Sequence, residues 1–193
     1  MENKRKQQTE KLVLGAIFTA LVIILQFMGS FIKFGVFSIS LVLVPIVLGA
    51  ALCGKEIGAW LGFVFGAIVL WSGDAAPFMA IDAVGTVATV MLKGTACGFA
   101  AGSVYKALEK YNRYVAVIAA AIICPIVNTG IFLLGCLIFF FAAITEWGEL
   151  AGFNNPVVYM FLGLAGVNFL LELVTNVILS PVIVRVLSVI KKK

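Results

Sequence analysis

The chain has 193 residues, of which 63% are hydrophobic and only 12% are charged. Soluble domains carry charge on about a quarter of their residues, and a single domain of this length could not hide so much apolar surface from water. We therefore expect an integral membrane protein. Histidine is absent, which removes the commonest general base and metal-binding side chain, and no P-loop pattern is present to bind ATP.

Taken in chain order, the apolar segments predict an all-α membrane protein with six transmembrane helices in one bundle, because about 20 apolar residues cross a bilayer. The first segment follows a basic N-terminus and is interpreted as a retained helix, since it lacks an A-x-A cleavage site. Residues 72–82 and 146–156 are predicted to be polar loops. The predicted spans are residues 12–29, 37–53, 57–72, 83–107, 115–141 and 157–190.

The positions of the cations predict the orientation, because Lys and Arg resist translocation. With six crossings, both termini and the second-to-third and fourth-to-fifth connections share one side of the membrane. That side holds all of the 14 Lys and Arg residues except Lys33 and Lys93. We therefore expect a protein of the cell membrane with both termini in the cytoplasm, and the net charge of +5 reflects this topology and does not indicate nucleic-acid binding.

One lysine lies deep in the fourth predicted span. Lys93 is about ten residues into that span, or roughly 15 Å at the rise of an α-helix. A lysine at this depth costs about 2.5 to 3.5 kcal/mol on insertion scales, so a polar partner should compensate it. Glu172 in the sixth span is one candidate, which would make a structural ion pair. The alternative, which we favour, is that Lys93 meets an anionic group of a substrate that enters from outside.

Polar residues on three predicted helices should face a common interior. Asn168, Glu172 and Asn176 are spaced i, i+4 and i+8 and therefore share one face of the sixth span. Thr89 lies one turn before Lys93 on the fourth span, with Thr86 close by, and Asn128 with Thr129 lies near the middle of the fifth. These groups predict a polar cavity, although hydrogen bonds between membrane helices, at about 0.6 to 2 kcal/mol each, are the simpler alternative. For Asn128 and Asn176 we weigh the two interpretations equally.

The outer loops carry aromatic side chains that could cover an apolar part of a ligand. We select Trp71 and Phe78 as substrate-binding candidates, with Trp147 as a further possibility, although aromatic residues at this level are more often membrane anchors. Phe31, Phe34 and Met79 lie in the same outer regions. Asp82 precedes the fourth span, and we interpret it as the helix N-cap.

Small residues and cysteines give weaker signals. Ala16 and Ala20 lie four residues apart on the first span, a spacing that lets another helix approach closely but that recurs by chance in membrane helices. Packing inside the bundle is the simpler interpretation. The four cysteines lie in apolar stretches and form no CxxC pair, so we interpret them as packing residues and expect neither a metal site nor a disulfide.

Together these features resemble the substrate-binding S components of energy-coupling factor (ECF) vitamin transporters. The resemblance covers the whole chain and rests on its length, the basic ends, the AxxxA in the first span, and residues 44–69, which read VPIVLGAALCGKEIGAWLGFVFGAIV. The spacing in that passage is closest to the pantothenate-type members. The residues that carry it are Pro45, Gly49, Gly54, Gly58, Gly62 and Gly66.

The resemblance implies a function and partners. An S component binds a vitamin from outside through helices four to six and the outer loops, joins a transmembrane T subunit and two ATPase subunits, and topples in the membrane to release the vitamin inside. It implies that Ala16 and Ala20 form the T-subunit docking surface, and that Lys93, Asn128, Asn168 and Glu172 contact the ligand. Pantothenate offers a carboxylate, hydroxyls and an amide, although Glu172 would repel that carboxylate unless Lys93 screens it.

Other functions stay open at this point. The chain could be an S component for a riboflavin-, folate- or pyridoxine-class vitamin, or a structural or assembly subunit that binds no ligand. An intramembrane enzyme is disfavoured, because without histidine only the pair of Lys93 and Glu172 could supply acid-base chemistry. We predict no cofactor, no metal site and no catalytic residue.

Overall fold

The computed structural model describes residues 2–31, 33–34, 37–38 and 41–190. Almost all of the regular structure in these ranges is helical, with one small exception. Two-residue strands β1 (Lys33–Phe34) and β2 (Phe37–Ser38) pair antiparallel after the first helix. The helices are α1 (Glu2–Phe31), α2 (Leu43–Cys53), α3 (Lys55–Ser72), α4 (Ala76–Met79), α5 (Ala83–Leu108), α6 (Arg113–Phe139), α7 (Phe141–Leu150), α8 (Pro156–Val158), a π-helix (Tyr159–Gly166) and α9 (Val167–Ile190).

The all-helical prediction is confirmed, and several helices fit a membrane bundle. Within the described ranges, the helical segments that are long and apolar enough to cross a bilayer are Gln8–Gly29, Lys55–Ser72, Ala83–Leu108, Arg113–Phe139 and Pro156–Val189. Helix α2 has 11 residues and is therefore about 17 Å long, shorter than the roughly 30 Å hydrocarbon core. The count of six crossings consequently stays a prediction.

The second predicted span starts too early. We expected it from Phe37, whereas the helix begins at Leu43 and Phe37 belongs to β2. Helix α2 is nonetheless central, because it packs against α1, α3, α5, α6 and α9. Continuous hydrophobicity therefore reflects burial among other helices here, as well as contact with lipid. Gly54 joins α2 to α3 with φ 104°, a left-handed conformation that glycine adopts without strain.

Both predicted polar loops contain helices, so these two predictions are wrong. Helix α4 lies inside residues 72–82, and α7 covers the first part of residues 146–156. Helix α7 is amphipathic: Ile144 and Gly148 are buried one turn apart, while Glu146 and Glu149 are exposed. Because charged side chains interrupt its apolar run, a search for apolar runs does not detect this helix.

Helices α3 and α5 make a very close antiparallel contact through glycines. Gly58 lies opposite Gly98, and Gly62 lies opposite Gly94. A Cβ atom at any of these four positions would collide with the backbone carbonyl of the glycine opposite. Small residues at such crossings let helix backbones touch. Lys93 directly precedes Gly94, so this contact fixes the position of Lys93 along the length of α3.

Helix α5 is also fixed at its start and against α6. Gly85 donates its N–H to the Asp82 carboxylate at 2.9 Å, which confirms Asp82 as the N-cap. Further along, the side chain of Thr89 fills the space beside Gly135 on α6. The antiparallel register of α5 and α6 therefore brings the residues one turn after Thr89 close to those one turn before Gly135.

The buried apolar side chains form two separate clusters. The large cluster draws on α1, α2, α3, α5, the first half of α6 and the end of α9. The small cluster contains Cys136, Phe140, Ile144 and Met160 and therefore lies at the other end of α6, against α7 and the π-helix. Between the two, the buried side chains of α6 and α9 include polar ones, and these define the candidate site.

Candidate functional site

Lys93 lies between aromatic rings near the middle of α5. Its ammonium nitrogen is 5.9 Å from the ring centre of Phe65 on α3 and 5.2 Å from that of Phe132 on α6. Both distances are within the range of a cation–π interaction. The side chain is half-buried, so it points into the bundle and away from the surrounding lipid. The predicted inward orientation of the lysine is what the structure shows.

Lys93 and Glu172 are neighbours without a direct contact. Glu172 is 7% exposed and lies near enough to Lys93 to interact with it electrostatically. Within the described part of the chain, however, no ion pair joins the two residues, and the contacts of the ammonium group are the two aromatic rings. The structure therefore does not contain the register-fixing ion pair that we weighed as an alternative.

The polar stripe on α9 is longer than predicted. Asn168 is partly buried, Glu172 and Asn176 are buried, and Ser180 continues the same spacing at 3% exposure. The hydroxyl of Ser180 donates to the carbonyl oxygen of Val177 at 2.7 Å. The sequence analysis missed Ser180, although its position four residues after Asn176 was a readable signal. The stripe faces α6, where Asn128 is 5% exposed and approaches the Glu172 carboxyl group.

Among the residues that the structure describes, three amide oxygens of this region are buried without a hydrogen-bond partner. They are Oδ1 of Asn128, Asn168 and Asn176. The nitrogen of Asn176 is used, because Nδ2 donates to the backbone oxygen of Glu172 at 2.9 Å. An unsatisfied buried acceptor costs about 1 to 3 kcal/mol. Three such oxygens lie on two facing helices, so this unmet hydrogen-bonding capacity is concentrated between α6 and α9.

An aromatic cluster lies beside Lys93, toward the end of the bundle that carries α4. Phe78 on α4 makes edge-on contacts with Phe132, Phe140 and Trp147, at centroid distances of 5.6, 5.0 and 5.5 Å. Phe132 thus touches both Phe78 and the lysine. Phe78 therefore lies one ring away from Lys93, whereas Phe132 carried no signal in the sequence.

Trp71 does not join this cluster. Its side chain is 78% exposed and meets Phe27 edge-on at 6.0 Å, which matches the role of a membrane anchor. The side chains of Phe31 and Phe34, which we also considered, lie outside the described residues. Thr89 is buried beside Gly135 in the contact of α5 with α6.

A hydrogen-bonded group near Lys93 was missed by the sequence analysis. Gln26 on α1 is 7% exposed, and its Nε2 donates to Asp74 Oδ2 at 2.9 Å. Ser72 donates its hydroxyl to the same oxygen at 2.9 Å. Asp74 lies near enough to Lys93 to act on it electrostatically. A lone glutamine inside the apolar first span was the available signal.

Two other features border the site. Thr129, the neighbour of Asn128, points away from the stripe and lines an open apolar groove of about 190 Å³. The groove lies between α6 and the π-helix, and its other lining residues are Ile126, Gly130, Leu133, Phe161, Ala165, Gly166 and Phe169.

One turn after Lys93 on α5, the thiol of the buried Cys97 donates to the carbonyl of Gly94 at 3.0 Å. In the described residues the four cysteines are free, and no cluster of potential ligands is placed to hold a metal ion.

The small residues of α1 face outward. Ala16 and Ala20 are exposed, whereas their neighbour Gly15 is buried against Ile57 of α3 at ordinary contact distance. Trp60 of α3 donates its indole N–H to Thr19 at 3.2 Å. The two alanines therefore do not pack inside the bundle, which was the simpler interpretation of their spacing.

Comparison with known proteins identifies the family. A family model described as "ECF transporter, substrate-specific component" matches residues 10–184, which is most of the chain. Neither the curated proteins nor the solved structures give a match. The matched range includes α5, α6 and the polar stripe of α9, and the family is one of transporter subunits and not of enzymes. The chain belongs to the family of substrate-specific components of ECF transporters.

Proposed function

We propose that this protein captures a small water-soluble vitamin, of which pantothenate is the first candidate, at the site between α5, α6 and α9. Family membership makes the chain a substrate-specific subunit of an ECF importer, which acts with a T subunit and ATPase modules. The vitamin and the binding residues are our proposal. The assigned residues are Lys93, Asn128, Asn168, Glu172, Thr89, Asn176 and Phe78; Trp71, exposed at the membrane surface, is left out.

The observation that carries the proposal is the set of unsatisfied groups around Lys93. An ammonium group inside a membrane bundle needs a compensating anion or dipole, and within the described residues Lys93 has aromatic rings and no ion pair. A ligand carboxylate at this position would supply a charge-assisted hydrogen bond. Phe78, Phe132 and Trp147 would then cover the ligand from the outer side.

Pantothenate fits this arrangement in charge and in its hydrogen-bonding groups. It has one carboxylate for Lys93, and its amide and hydroxyl groups can bond to amide side chains. The carboxyl group of Glu172 faces Asn128, and the charge of Lys93 would offset its repulsion of the ligand carboxylate.

A thermal-stability screen of the purified protein tests the proposal. A ligand that binds only the native form, at about 100 times its Kd, adds about 2.7 kcal/mol, which raises the midpoint of a chain of this size by roughly 5 to 10 °C. We expect pantothenate to give the largest increase in a panel of water-soluble vitamins, with a change in Trp147 fluorescence. If no vitamin raises the midpoint, the protein is not a vitamin-binding subunit.

We further propose that Ala16 and Ala20 form the docking surface for the T subunit. Both are exposed, and both lie on a face of α1 that the rest of the chain leaves uncovered. Small residues at this spacing permit close approach of a second helix. The surface is separate from the stripe on α9, so docking and ligand binding can be tested independently.

Replacing Ala16 and Ala20 by leucine should therefore uncouple transport from binding. We expect the double variant to keep the Kd for pantothenate within about twofold and to lose uptake in cells that express the whole importer, because bulk at this spacing keeps the T-subunit helix away. Leucine at Ala67, another exposed alanine, but on α3, is the matched control. Normal uptake by the double variant would remove the docking assignment.

The six-crossing topology with cytoplasmic termini is also our proposal. The antiparallel contact places Lys55, at the start of α3, beside Gly102 near the end of α5, so Lys55 and Lys106 lie at the same end of the bundle. Asp74 and Asp82 lie at the other end of the same two helices. This segregation of charge supports basic ends on the cytoplasmic side.

A further inference from the structure

The unsatisfied groups between α6 and α9 are all of one chemical kind. Oδ1 of Asn128, Asn168 and Asn176 accept hydrogen bonds and cannot donate them. An asparagine side chain ordinarily offers two donors and an acceptor, so a set consisting only of acceptors needs an explanation. The explanation lies in what the amide nitrogens contact.

Glu172 engages the donors of two of these asparagines. Nδ2 of Asn176 donates to the backbone oxygen of Glu172 at 2.9 Å. Because a carbonyl can only accept, this bond determines the amide orientation of Asn176. The side chain of Asn128 approaches the Glu172 carboxyl group, and since Oδ1 of Asn128 has no partner, the nitrogen is the group that faces the carboxyl. Both oxygens are thereby left free, and the carboxyl itself adds further acceptor capacity.

From this geometry we propose that Asn128, Glu172 and Asn176 form a subsite for hydrogen-bond donors, so that the substrate is two-ended. One end is the anion that Lys93 receives, and the other carries hydroxyl or amine groups. The inference rests on the proposed function and sharpens it, because it states which chemistry the far end of the substrate must have. Molecules that are acidic but have an apolar far end are excluded.

The register of the helices sets the length of the substrate. Phe132, which touches Lys93, lies four residues from Asn128 on α6, a separation of about 6 Å along the helix. Asn128 faces Glu172 on α9, and Asn176 lies four residues beyond Glu172, or about 6 Å further along. The anion and the donor groups are therefore separated by roughly one to two helical turns, the length of a small vitamin.

Three probes with one skeleton test the two-ended substrate. Pantothenate has both ends, 3,3-dimethylbutanoyl-β-alanine keeps the carboxylate and amide but lacks both hydroxyls, and pantothenol keeps the hydroxyls but lacks the carboxylate. We expect each deletion to weaken binding at least tenfold by calorimetry. The inference is overturned if the analogue without hydroxyls binds as well as pantothenate. If pantothenate does not bind, the same requirement applies to the tightest vitamin in the panel, which must carry both ends.

A variant provides a measurement that needs no ligand. In Asn176→Leu, an apolar side chain of similar volume replaces an unsatisfied acceptor, so the melting midpoint of the ligand-free protein should stay the same or rise. The same variant should bind pantothenate at least tenfold more weakly and should discriminate less between pantothenate and the analogue without hydroxyls. Thr175→Val, a shape-conserving change at the adjacent position of α9, is the control and should change neither value.

Three other outcomes would contradict the inference. A midpoint lowered by several degrees in Asn176→Leu, with unchanged discrimination between the probes, would make Asn176 a helix-packing residue and end the inference. Stabilisation of the ligand-free protein by Na⁺ or K⁺ that disappears in Asn176→Leu would assign the oxygens to a cation instead. If no vitamin binds at all, the proposed function fails first, and this inference fails with it.

Discussion

The two helix pairs that frame the site are built in opposite ways. Helices α3 and α5 touch backbone to backbone through Gly58, Gly62, Gly94 and Gly98 and leave no room for a side chain. Helices α6 and α9 face each other with buried polar side chains, of which Asn128 and Asn176 have unsatisfied oxygens. Both pairs lie in the apolar part of the bundle.

The difference in packing indicates different roles for the two helix pairs. A glycine contact gains dispersion energy without polar groups and tolerates no change in volume. A buried contact with unpaired acceptors loses free energy until something satisfies them. We infer that α3 and α5 form the rigid frame that holds Lys93 in place, whereas α6 and α9 form the part that responds to ligand.

The largest effect is expected from a bulky residue in the rigid pair. Gly62→Leu would push a side chain into the backbone of Gly94, and overpacking of this kind costs about 3 kcal/mol or more. We expect poor yield in detergent and a strongly lowered melting midpoint. Gly130→Leu is the matched control, because a Cβ there meets nothing within 4 Å. Equal stability of the two variants would show that the close contact of α3 with α5 is not the frame.

A smaller effect, confined to binding, is expected from the lysine that the frame positions. Lys93→Ala should weaken binding of an anionic vitamin more than tenfold, or by about 1.4 kcal/mol or more, with the fold retained. Lys55→Ala is the control, since Lys55 also lies over an aromatic ring, that of Phe99 at 5.0 Å, but at the other end of the helix pair. Equilibrium titration compares the two variants, and an unchanged Kd for Lys93→Ala would remove the residue from the site.

The smallest effect is expected from Phe132, the aromatic residue that contacts both Lys93 and the cluster around Phe78. Phe132→Leu removes the contact with the ammonium and the edge-on contact with Phe78. A partly exposed cation–π contact contributes about 0.5 to 1 kcal/mol, so we expect binding to weaken roughly two- to fivefold. Phe99→Leu removes the corresponding ring beside Lys55 and should leave the Kd unchanged. A larger loss than for Lys93→Ala would mean that the ring contacts the ligand directly.

Much of the fold could be predicted from the sequence, because hydrophobic runs and periodic spacing are local signals. Residues spaced by four, such as Glu172 and Asn176, were assigned to one buried face, and they are buried together. Asp82 was identified as an N-cap because capping depends on residues next to each other in the chain.

The rest depends on contacts between distant segments, which spacing does not encode. The hydrogen bond of Gln26 with Asp74 spans 48 positions, and the ring of Phe132 over Lys93 depends on the register of α5 against α6. The expected start of the second span at Phe37 was wrong because an apolar run does not reveal where its helix begins. Helix α7 was missed because its polar face resembles a loop.

The π-helix at Tyr159–Gly166 determines the direction in which α9 starts. Its i to i+5 hydrogen bonding holds more residues per turn than an α-helix does, so the angle at which α9 starts depends on that segment. If these eight residues tightened into α geometry, α9 would turn about its own axis. Asn168 and the residues spaced after it would turn together and swing away from α6. The direction in which the entire polar stripe faces thus depends on a segment that contributes no residue to the stripe, since its tyrosine packs against Phe153.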